Sequence, residues 1–355
     1  MKNIKSKSKS KVFSLIIGLV ILLIFTIIIA VSLGSVKLDL RVVYNVISHK
    51  ILGFSLDPSI KASAVDIVWQ IRLPRVLLGV VTGVGLALGG VVMQATVENP
   101  LADPYILGIS SGGTLGATFI LLIGSRFIHI ASRFTTVSFF AFLGALLASI
   151  LVFKLSSIGG RITPVKLVLS GMIVNLVCLA FSNLMIYLTN DDSAVRSASE
   201  WTMGSLTSAK WSNLLIPTAV VFIMIIFFLT QCRVMNTMLL GDEAAITLGV
   251  DLHKYRRVYL ITSAILTGII VSSCGLIGFI GLVIPHITRS LVGTDHRINL
   301  PVAMLIGGIF LTSTDILARI VLNNMEMPIG IITSVIGAPF FIYIMLKRAY
   351  SFGER

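Results

Sequence analysis

Long apolar runs recur along the whole chain and constrain its fold more than any other feature. A helix needs about 20 predominantly apolar residues to cross the hydrocarbon core of a bilayer. The predicted spans cover residues 12–34, 76–97, 104–124, 134–153, 165–188, 212–231, 258–275, 277–293, 300–322 and 329–346. Because only 12% of the 355 residues are charged, a soluble domain is excluded. The sequence predicts an all-α polytopic membrane protein with about ten transmembrane helices.

The eighth predicted span differs from the others because it contains Pro285, His286 and Arg289. A proline removes a backbone donor, and a charged side chain is costly in lipid. We therefore expect this helix to be short, or to be surrounded by other helices rather than by lipid.

The distribution of lysine and arginine predicts the orientation of the chain. With the N-terminus in the cytoplasm, 17 of the 28 basic residues fall on that side, including five lysines in the tail 1–11. The apolar run after this tail is longer than a signal-peptide core, so the tail is expected to stay attached. An even number of spans returns the C-terminus to the cytoplasm. Residues 1–355 are predicted to form one transmembrane domain, with an external loop at 35–75 and a cytoplasmic loop at 231–257.

The sequence lacks the motifs of several functional classes. Its net charge of +13 is spread over the connections without an aromatic-interleaved patch, so nucleic acid is not an expected partner. No G-x-x-x-x-G-K-[ST] phosphate loop is present, so any ATP hydrolysis must come from another protein. The five histidines form no H-E-x-x-H pair, and Cys178, Cys232 and Cys274 lie far apart. No catalytic residue, metal site or cofactor is predicted, and the chain is not expected to be an enzyme.

The polar interruption at residues 231–257 separates two apolar runs and contains a patterned segment. The segment Gly241–Gly249 opens with two acids and closes with glycine, which is typical of a short helix with a glycine stop. A second short turn is expected at residues 251–255. Such a stiff, partly apolar knob is more than a loop needs in order to reverse direction. It predicts either a docking element for a partner or a helix lying on the lipid surface.

A second patterned segment, Asn99–Pro104, places two prolines around a polar turn. A helix start rich in glycine and serine follows it. Proline and glycine at this density fix the backbone where two helices meet. The segment is interpreted either as part of a gate or as a tight reversal of the chain.

An acidic side chain inside a span is typical of ion-coupled carriers. Asp315 is the one candidate for such a coupling role, since the other acids avoid the span centres. Arg319 follows one helical turn later and offers a structural ion pair instead. An ion-coupled secondary transporter that uses Asp315 is therefore the alternative function.

Several sequence blocks stand in a fixed order along the chain. They are Arg72–Arg75, Asn99–Pro104, Leu107–Gly108, Leu240–Val250, Gly278–His286, Asp295–Arg297, Asp315–Arg319, Met327–Gly330 and Ile336–Pro339. In these blocks the chain resembles the FecCD-type permease family, the membrane subunits of ATP-binding-cassette (ABC) importers for iron–siderophores, haem and vitamin B12. The resemblance covers nearly the whole length after the first span. It departs from the family at Glu98, where many relatives carry a basic residue.

The resemblance implies a permease subunit with the architecture of type II ABC importers, in the cytoplasmic membrane of a bacterium. Its expected partners are a second permease subunit, identical or related, two cytosolic ABC ATPases, an extracytoplasmic solute-binding protein and membrane lipid. The expected cargo is an iron–siderophore complex or a related chelate such as haem or cobalamin. The sequence leaves the choice among these chelates open.

The resemblance also assigns roles to three groups of residues. ATPase docking is assigned to Gly241, Asp242, Glu243, Ala244, Leu248 and Gly249. The cytoplasmic gate is assigned to Asn99, Pro100 and Leu101. Contact with the binding protein is assigned to Arg72, Arg75 and Arg319. A simpler account of these arginines is that they anchor helix ends at the lipid headgroups.

Overall fold

The computed structural model describes residues 2–34, 36, 38–124, 133–159, 163–322 and 325–352. This described part is helical and contains no β-strand. Its α-helices are α1 (Lys2–Ser32), α2 (Leu40–Leu52), α3 (Ala62–Asp66), α4 (Leu73–Thr96), α5 (Ile109–Leu122), α6 (Arg133–Ser156), α7 (Pro164–Tyr187), α8 (Asp192–Thr202), α9 (Trp211–Thr230), α10 (Cys232–Met238), α11 (Asp242–Thr247), α12 (Leu252–Cys274), α13 (Ile280–Val292), α14 (His296–Ile320) and α15 (Ile329–Phe352). A π-helical turn (Ile67–Arg72) joins α3 to α4, and a 3₁₀ turn (Pro104–Leu107) precedes α5.

Each predicted span coincides with an apolar helix in the described part of the chain. Seven helices are long and apolar enough to cross a membrane: Ser10–Ser32, Ala62–Thr96, Thr135–Ser157, Val165–Tyr187, Trp211–Thr230, Leu252–Cys274 and His296–Ile320. Three more are apolar but shorter: Ile109–Leu122, Ile280–Val292 and Ile329–Tyr343. The all-α fold with about ten apolar helices is thereby confirmed, seven of them long enough to cross a membrane and three shorter.

The eighth span is short and buried, as its proline and charges required. Helix α13 has 13 residues, and Pro285 inside it is buried. A proline at this position cannot donate to the carbonyl of Gly281, four residues earlier. The side-chain amide of Gln94 lies 3.4 Å from that carbonyl and donates to it instead. A neighbouring helix thus satisfies the backbone group that the proline leaves open.

The second span begins earlier than predicted. The sequence places its start after Arg75, but the helix runs from Ala62 to Thr96 without a break. Pro74 lies in the first turn of α4, and the π-helical turn before it keeps the chain continuous because the amide of Leu73 donates to the carbonyl of Val68. Much of the predicted external loop therefore belongs to helices α2 and α3 and to this extension.

Glycines set the distance between the central helices. Helix α4 is buried along most of its length and packs against α9, α12, α13 and α14. A Cβ on Gly90 would lie 2.0 Å from the carbonyl oxygen of Gly281, and one on Gly83 would lie 2.2 Å from that of Gly307. These helices approach so closely that only glycine fits between them.

The ends of α4 and α14 define two faces of the bundle. The 24 residues of α4 extend about 36 Å at 1.5 Å per residue. At one end, residues after α4 and at the start of α14 line a cavity together with Gly241, and we call this end the Gly241 face. At the other end, Arg75 of α4 meets Asp315 of α14, and we call this end the Asp315 face.

Candidate functional site

The Gly241 loop, residues 239–251, contains the short helix that the sequence predicts. Helix α11 spans Asp242–Thr247, and its flanking glycines adopt positive φ angles of 86° at Gly241 and 73° at Gly249. The amide of Val250 donates to the carbonyl of Ala245 at 3.0 Å, which is the bond that closes a glycine-terminated helix. The expected glycine stop is confirmed.

The Gly241 loop stands out from the bundle as an apolar knob. Leu239, Leu240 and Leu248 are exposed, the last to 63%, whereas Ala245 of α11 is fully buried. Ala245 belongs to the same core cluster as Met238 of α10. Three exposed leucines on one loop are costly in water, so this knob is suited to contact another protein. The side chains of Asp242 and Glu243, assigned to docking, lie outside the described part of the chain.

The base of the loop is held by Asn236, a residue that the sequence analysis did not single out. Its amide nitrogen donates to Asp295 at 2.7 Å, and its amide oxygen accepts from the backbone and ring nitrogens of His296 at 2.9 and 2.7 Å. The hydrogen bond from Asn236 lowers the pKa of Asp295 below its ordinary value, so that carboxylate stays charged. These contacts tie α10 to the start of α14.

Helix α10 itself was missed by the sequence analysis. Its buried residues Cys232, Met235 and Met238 recur every three positions, a spacing that indicates one face of a helix. The expected turn at residues 251–255 was also wrong, because Asp251 accepts hydrogen bonds from the amides of His253 and Lys254 and caps α12. The segment is the first turn of a long helix, since an aspartate before a helix satisfies amides that have no partner within it.

The Asn99 turn, residues 98–103, lies on the same face. The amide of Leu101 donates to the side chain of Asn99 at 2.9 Å, and the amide of Ala102 donates to the carbonyl of Asn99 at 3.0 Å. Pro100 occupies the position of such a turn that its fixed φ favours. Leu101 is exposed at the tip, and Ala102 is buried. The segment is a rigid turn with one apolar side chain directed outward.

The Asn99 turn and the Gly241 loop both line a cavity of about 520 Å³. Its lining comes from α4, the Asn99 turn, the end of α10, the Gly241 loop, the last turn of α13 and the start of α14. The polar lining residues are Gln94, Glu98, Arg289, Thr294, His296 and Asn299.

The three arginines assigned to the binding protein lie together on the Asp315 face, and their side chains are buried. Arg72, Arg75 and Arg319 are 5%, 6% and 5% exposed. Arg72 donates to the carbonyls of Val31 and Ser32 at 2.9 and 2.7 Å, and also to that of Val36. Contact of these arginines with a binding protein stays a prediction, and their burial argues for an indirect contribution.

Asp315 forms the structural ion pair that the sequence offered as its explanation. Its carboxylate lies 2.9 Å from the guanidinium of Arg75 and 3.1 Å from that of Arg319. Arg75 also contacts Glu326 at 2.7 Å. Asp315 is 1% exposed. Both neighbouring guanidinium groups thus engage this carboxylate in a structural ion pair, and breaking such a buried pair is costly.

A sequence profile of the FecCD transport family matches residues 22–347. The chain belongs to the FecCD transport family. This FecCD chain is 41% identical over 288 residues to the hemin transport system permease protein HmuU of Yersinia pestis, covering 80% of this chain and 85% of that protein. It is 39% identical over 282 residues to the cobalamin import system permease protein BtuC of Halobacterium salinarum, with coverages of 79% and 74%.

Two further similarities agree with this assignment. The iron(3+)-hydroxamate import system permease protein FhuG of Bacillus subtilis is 35% identical over 285 residues, which cover 79% of this chain and 84% of that protein. A solved structure of a metal-chelate type ABC transporter in an inward-facing conformation matches with a TM-score of 0.79 and 29% identity. The match covers 95% of this chain and 99% of the solved one.

The family membership confirms the predicted fold class and broad function. This FecCD chain is an all-α, multi-pass membrane permease subunit of an ABC importer, and such subunits are not themselves enzymes. The alternative, an ion-coupled carrier that uses Asp315, finds no support in the relatives or in the ion pairs of that residue.

Proposed function

We propose that this chain passes a metal chelate from an external solute-binding protein into the cytoplasm of a bacterium, driven by a separate ATPase. The observation that carries the proposal is the apolar knob of the Gly241 loop, which stands on a base fixed by Asn236 and Asp251. The chain has no nucleotide-binding loop, so a rigid protruding knob is the part suited to receive movement from an ATPase. Gly241, Ala244, Leu248 and Gly249 belong to it, as do Asp242 and Glu243 in sequence.

The proposed orientation places the Gly241 face in the cytoplasm. The distribution of basic residues supports it, because 17 of 28 fall in connections assigned to that side. Both termini are then cytoplasmic. The Asn99 turn, with Asn99, Pro100 and Leu101, lies beside the Gly241 loop at the proposed inner end of the path.

The proposed assembly contains a second permease subunit, identical or related, two cytosolic ATPases and a solute-binding protein. Relatives named for hemin, cobalamin and iron(3+)-hydroxamate transport support a cargo from the class of large metal chelates, with an iron–siderophore as our first choice. On the proposed external face, the buried arginines hold the ends of α1, α4 and α14 in place. We place the binding protein on the outer surface formed by these helix ends.

Replacement of one exposed leucine on the knob tests the proposal. Leu248→Glu places a charge on the proposed contact and should reduce recovery of the ATPase with the purified permease by at least tenfold, because a buried unpaired charge is costly. Ile158→Glu is the matched control, since Ile158 is 68% exposed, outside the loop. Both variants should insert in the membrane at normal levels. Equal recovery of the ATPase with Leu248→Glu and with Ile158→Glu would contradict the docking role.

The cargo is tested by direct binding to the solute-binding protein that associates with this permease. We expect one of three probes, a ferric hydroxamate, haemin or cobalamin, to bind at least a hundredfold more tightly than the other two. Tight binding of an unchelated metal ion in place of all three would contradict the proposed cargo class.

A further inference from the structure

We propose that the ion pair between Glu98 and Arg256 is the link through which movement of the Gly241 loop reaches the Asn99 turn. The proposal rests on the docking function proposed above for the loop. Glu98 opens the Asn99 turn, and Arg256 lies in the first turns of α12, 158 residues later in the chain. The side chains of Arg256 and Glu98 are 11% and 34% exposed, so water screens this pair less than a fully exposed pair.

Arg256 follows the Gly241 loop directly. The loop ends at Asp251, whose side chain caps α12 through two backbone amides. A displacement of the loop therefore turns or shifts the first turns of α12, which carry the guanidinium group with them. Helices transmit such displacements as stiff elements because their backbone hydrogen bonds are internal.

Neighbouring contacts position α12 so that Arg256 points toward the Asn99 turn. The guanidinium of Arg257 lies 5.8 Å from the ring centre of Phe153 on α6. On another side of the helix, the hydroxyl of Tyr259 donates to Gln231, the residue that follows α9, at 3.1 Å. These contacts hold the start of α12 between α6 and α9.

The Gly241 loop and the Asn99 turn border one cavity. The cavity of about 520 Å³ is lined by Leu240 and Gly241 of the loop and by Glu98 and Pro100 of the turn. The ion pair adds a connection between the two segments that runs through the start of α12 rather than through this cavity.

The backbone of Glu98 makes the turn responsive to this link. Its φ of 52° lies in the left-handed region, which non-glycine residues rarely adopt. Such a conformation persists only where surrounding contacts hold it. When movement of α12 draws Arg256 away, Glu98 is released to an ordinary φ, and the chain direction at Asn99 and Pro100 changes with it. Glu98 and Arg256 are positioning residues in this scheme.

Spin-label distances on the assembled complex in nanodiscs test the link without any cargo. One label pair, at Leu101→Cys and Leu291→Cys, reports movement of the Asn99 turn relative to α13. A second pair, at His253→Cys and Leu291→Cys, reports movement of the start of α12. Labelling is selective because the native cysteines Cys178, Cys232 and Cys274 are all buried. Each distance is measured without nucleotide and with ATP and vanadate.

The variants are Glu98→Gln, Arg256→Gln and the exchange of both charges, Glu98→Arg with Arg256→Glu. We expect each single variant to keep the nucleotide-dependent shift at His253 and to lose at least half of the shift at Leu101. The charge exchange should restore it. The control is Arg196→Gln, which removes an exposed ion pair with Glu200 on α8 and should leave both shifts unchanged.

Three outcomes oppose the inference, and each is distinct from failure of the docking function. The link is excluded if the shift at Leu101 survives in both single variants. It is also excluded if Arg196→Gln loses the shift equally, or if the charge exchange fails to restore it, since the loss then reflects general damage to the fold. If the ATPase does not bind the unmodified permease, the docking function fails and the link fails with it.

Discussion

At the scale of single residues, the Asp315 face shows how buried charges are accommodated in this permease. Arg75 and Arg319 share the carboxylate of Asp315, and Arg75 also reaches Glu326. Arg319 donates in addition to the carbonyls of Ala30 and Leu33 at the end of α1. Burying a charge is tolerated only where pairing and hydrogen bonds compensate for lost hydration. The cluster therefore joins α1, α4, α14 and the α14–α15 connection.

Two substitutions separate the contributions of the two carboxylates in this cluster. Asp315→Asn leaves two buried guanidinium groups without their shared partner, and we expect it to lower the free energy of unfolding by about 3–5 kcal/mol. Glu326→Gln should cost much less, because Arg75 keeps Asp315 and the side chain of Glu326 is 36% exposed. Thermal unfolding of both variants in nanodiscs measures the difference. Equal losses for the two variants would show that Asp315 is not the centre of the cluster.

At the scale of helices, packing distance is controlled by glycines rather than by large apolar side chains. A Cβ on Gly112 of α5 would lie 2.3 Å from the carbonyl oxygen of Gly144 on α6, and the same closeness recurs where α4 meets α13. Lipid gives no hydrophobic drive for helices to associate, so close backbone contact supplies dispersion attraction instead. Each glycine of this kind fixes where two helices cross.

A glycine at a helix crossing and a glycine facing open space should respond differently to alanine. In Gly90→Ala the new Cβ meets the carbonyl of Gly281, so α4 and α13 must separate, and we expect a loss of about 1–3 kcal/mol in the free energy of unfolding. Gly18 of α1 has nothing within 4 Å of its Cβ position and serves as the control. The midpoint of thermal unfolding in nanodiscs should fall for Gly90→Ala and should not fall for Gly18→Ala, since alanine is no worse than glycine inside a helix. A constant midpoint in both variants would remove the packing argument at this crossing.

At the scale of the whole molecule, the described part of the chain contains no group of three or more potential metal ligands from His, Cys, Asp and Glu. Asp315, the one acid considered for ion coupling, is held by two arginines. The ABC importer permeases to which this chain is similar imply an ATPase partner, and the Gly241 face is where we expect that partner to act.

Uptake into proteoliposomes distinguishes the two ways of driving transport. With the ATPase and the binding protein present, uptake of the radiolabelled chelate should stop when the ATPase is inactivated. It should continue when an uncoupler collapses the proton gradient while ATP is maintained. Asp315→Asn should lower the amount of folded permease without changing the pH dependence of uptake per folded molecule. Uptake that needs the gradient but not ATP would return Asp315 to a coupling role.

Local sequence was sufficient to predict the spans, the glycine-terminated helix α11 and the family. Each of these depends on residues that lie close together in the chain. A helix in lipid must satisfy its own backbone hydrogen bonds, so a run of about 20 apolar residues specifies it without reference to the rest of the chain. The glycine stop after α11 likewise depends on the φ of one residue. Helix α10 was detectable from the three-residue spacing of Cys232, Met235 and Met238. It was overlooked because it is short and because polar residues lie between its methionines.

Contacts between segments that are distant in the chain could not be predicted from local sequence. In the sequence, three arginines near helix ends suggest an outward-facing surface. In the structure their side chains are buried, because Asp315, Glu326 and the carbonyls at the end of α1 lie within their reach. The pair of Glu98 and Arg256 joins positions 158 residues apart and follows from which helices became neighbours. A charged side chain in the sequence indicates that a partner is needed if the side chain is buried. Which residue becomes that partner depends on the three-dimensional arrangement of the helices.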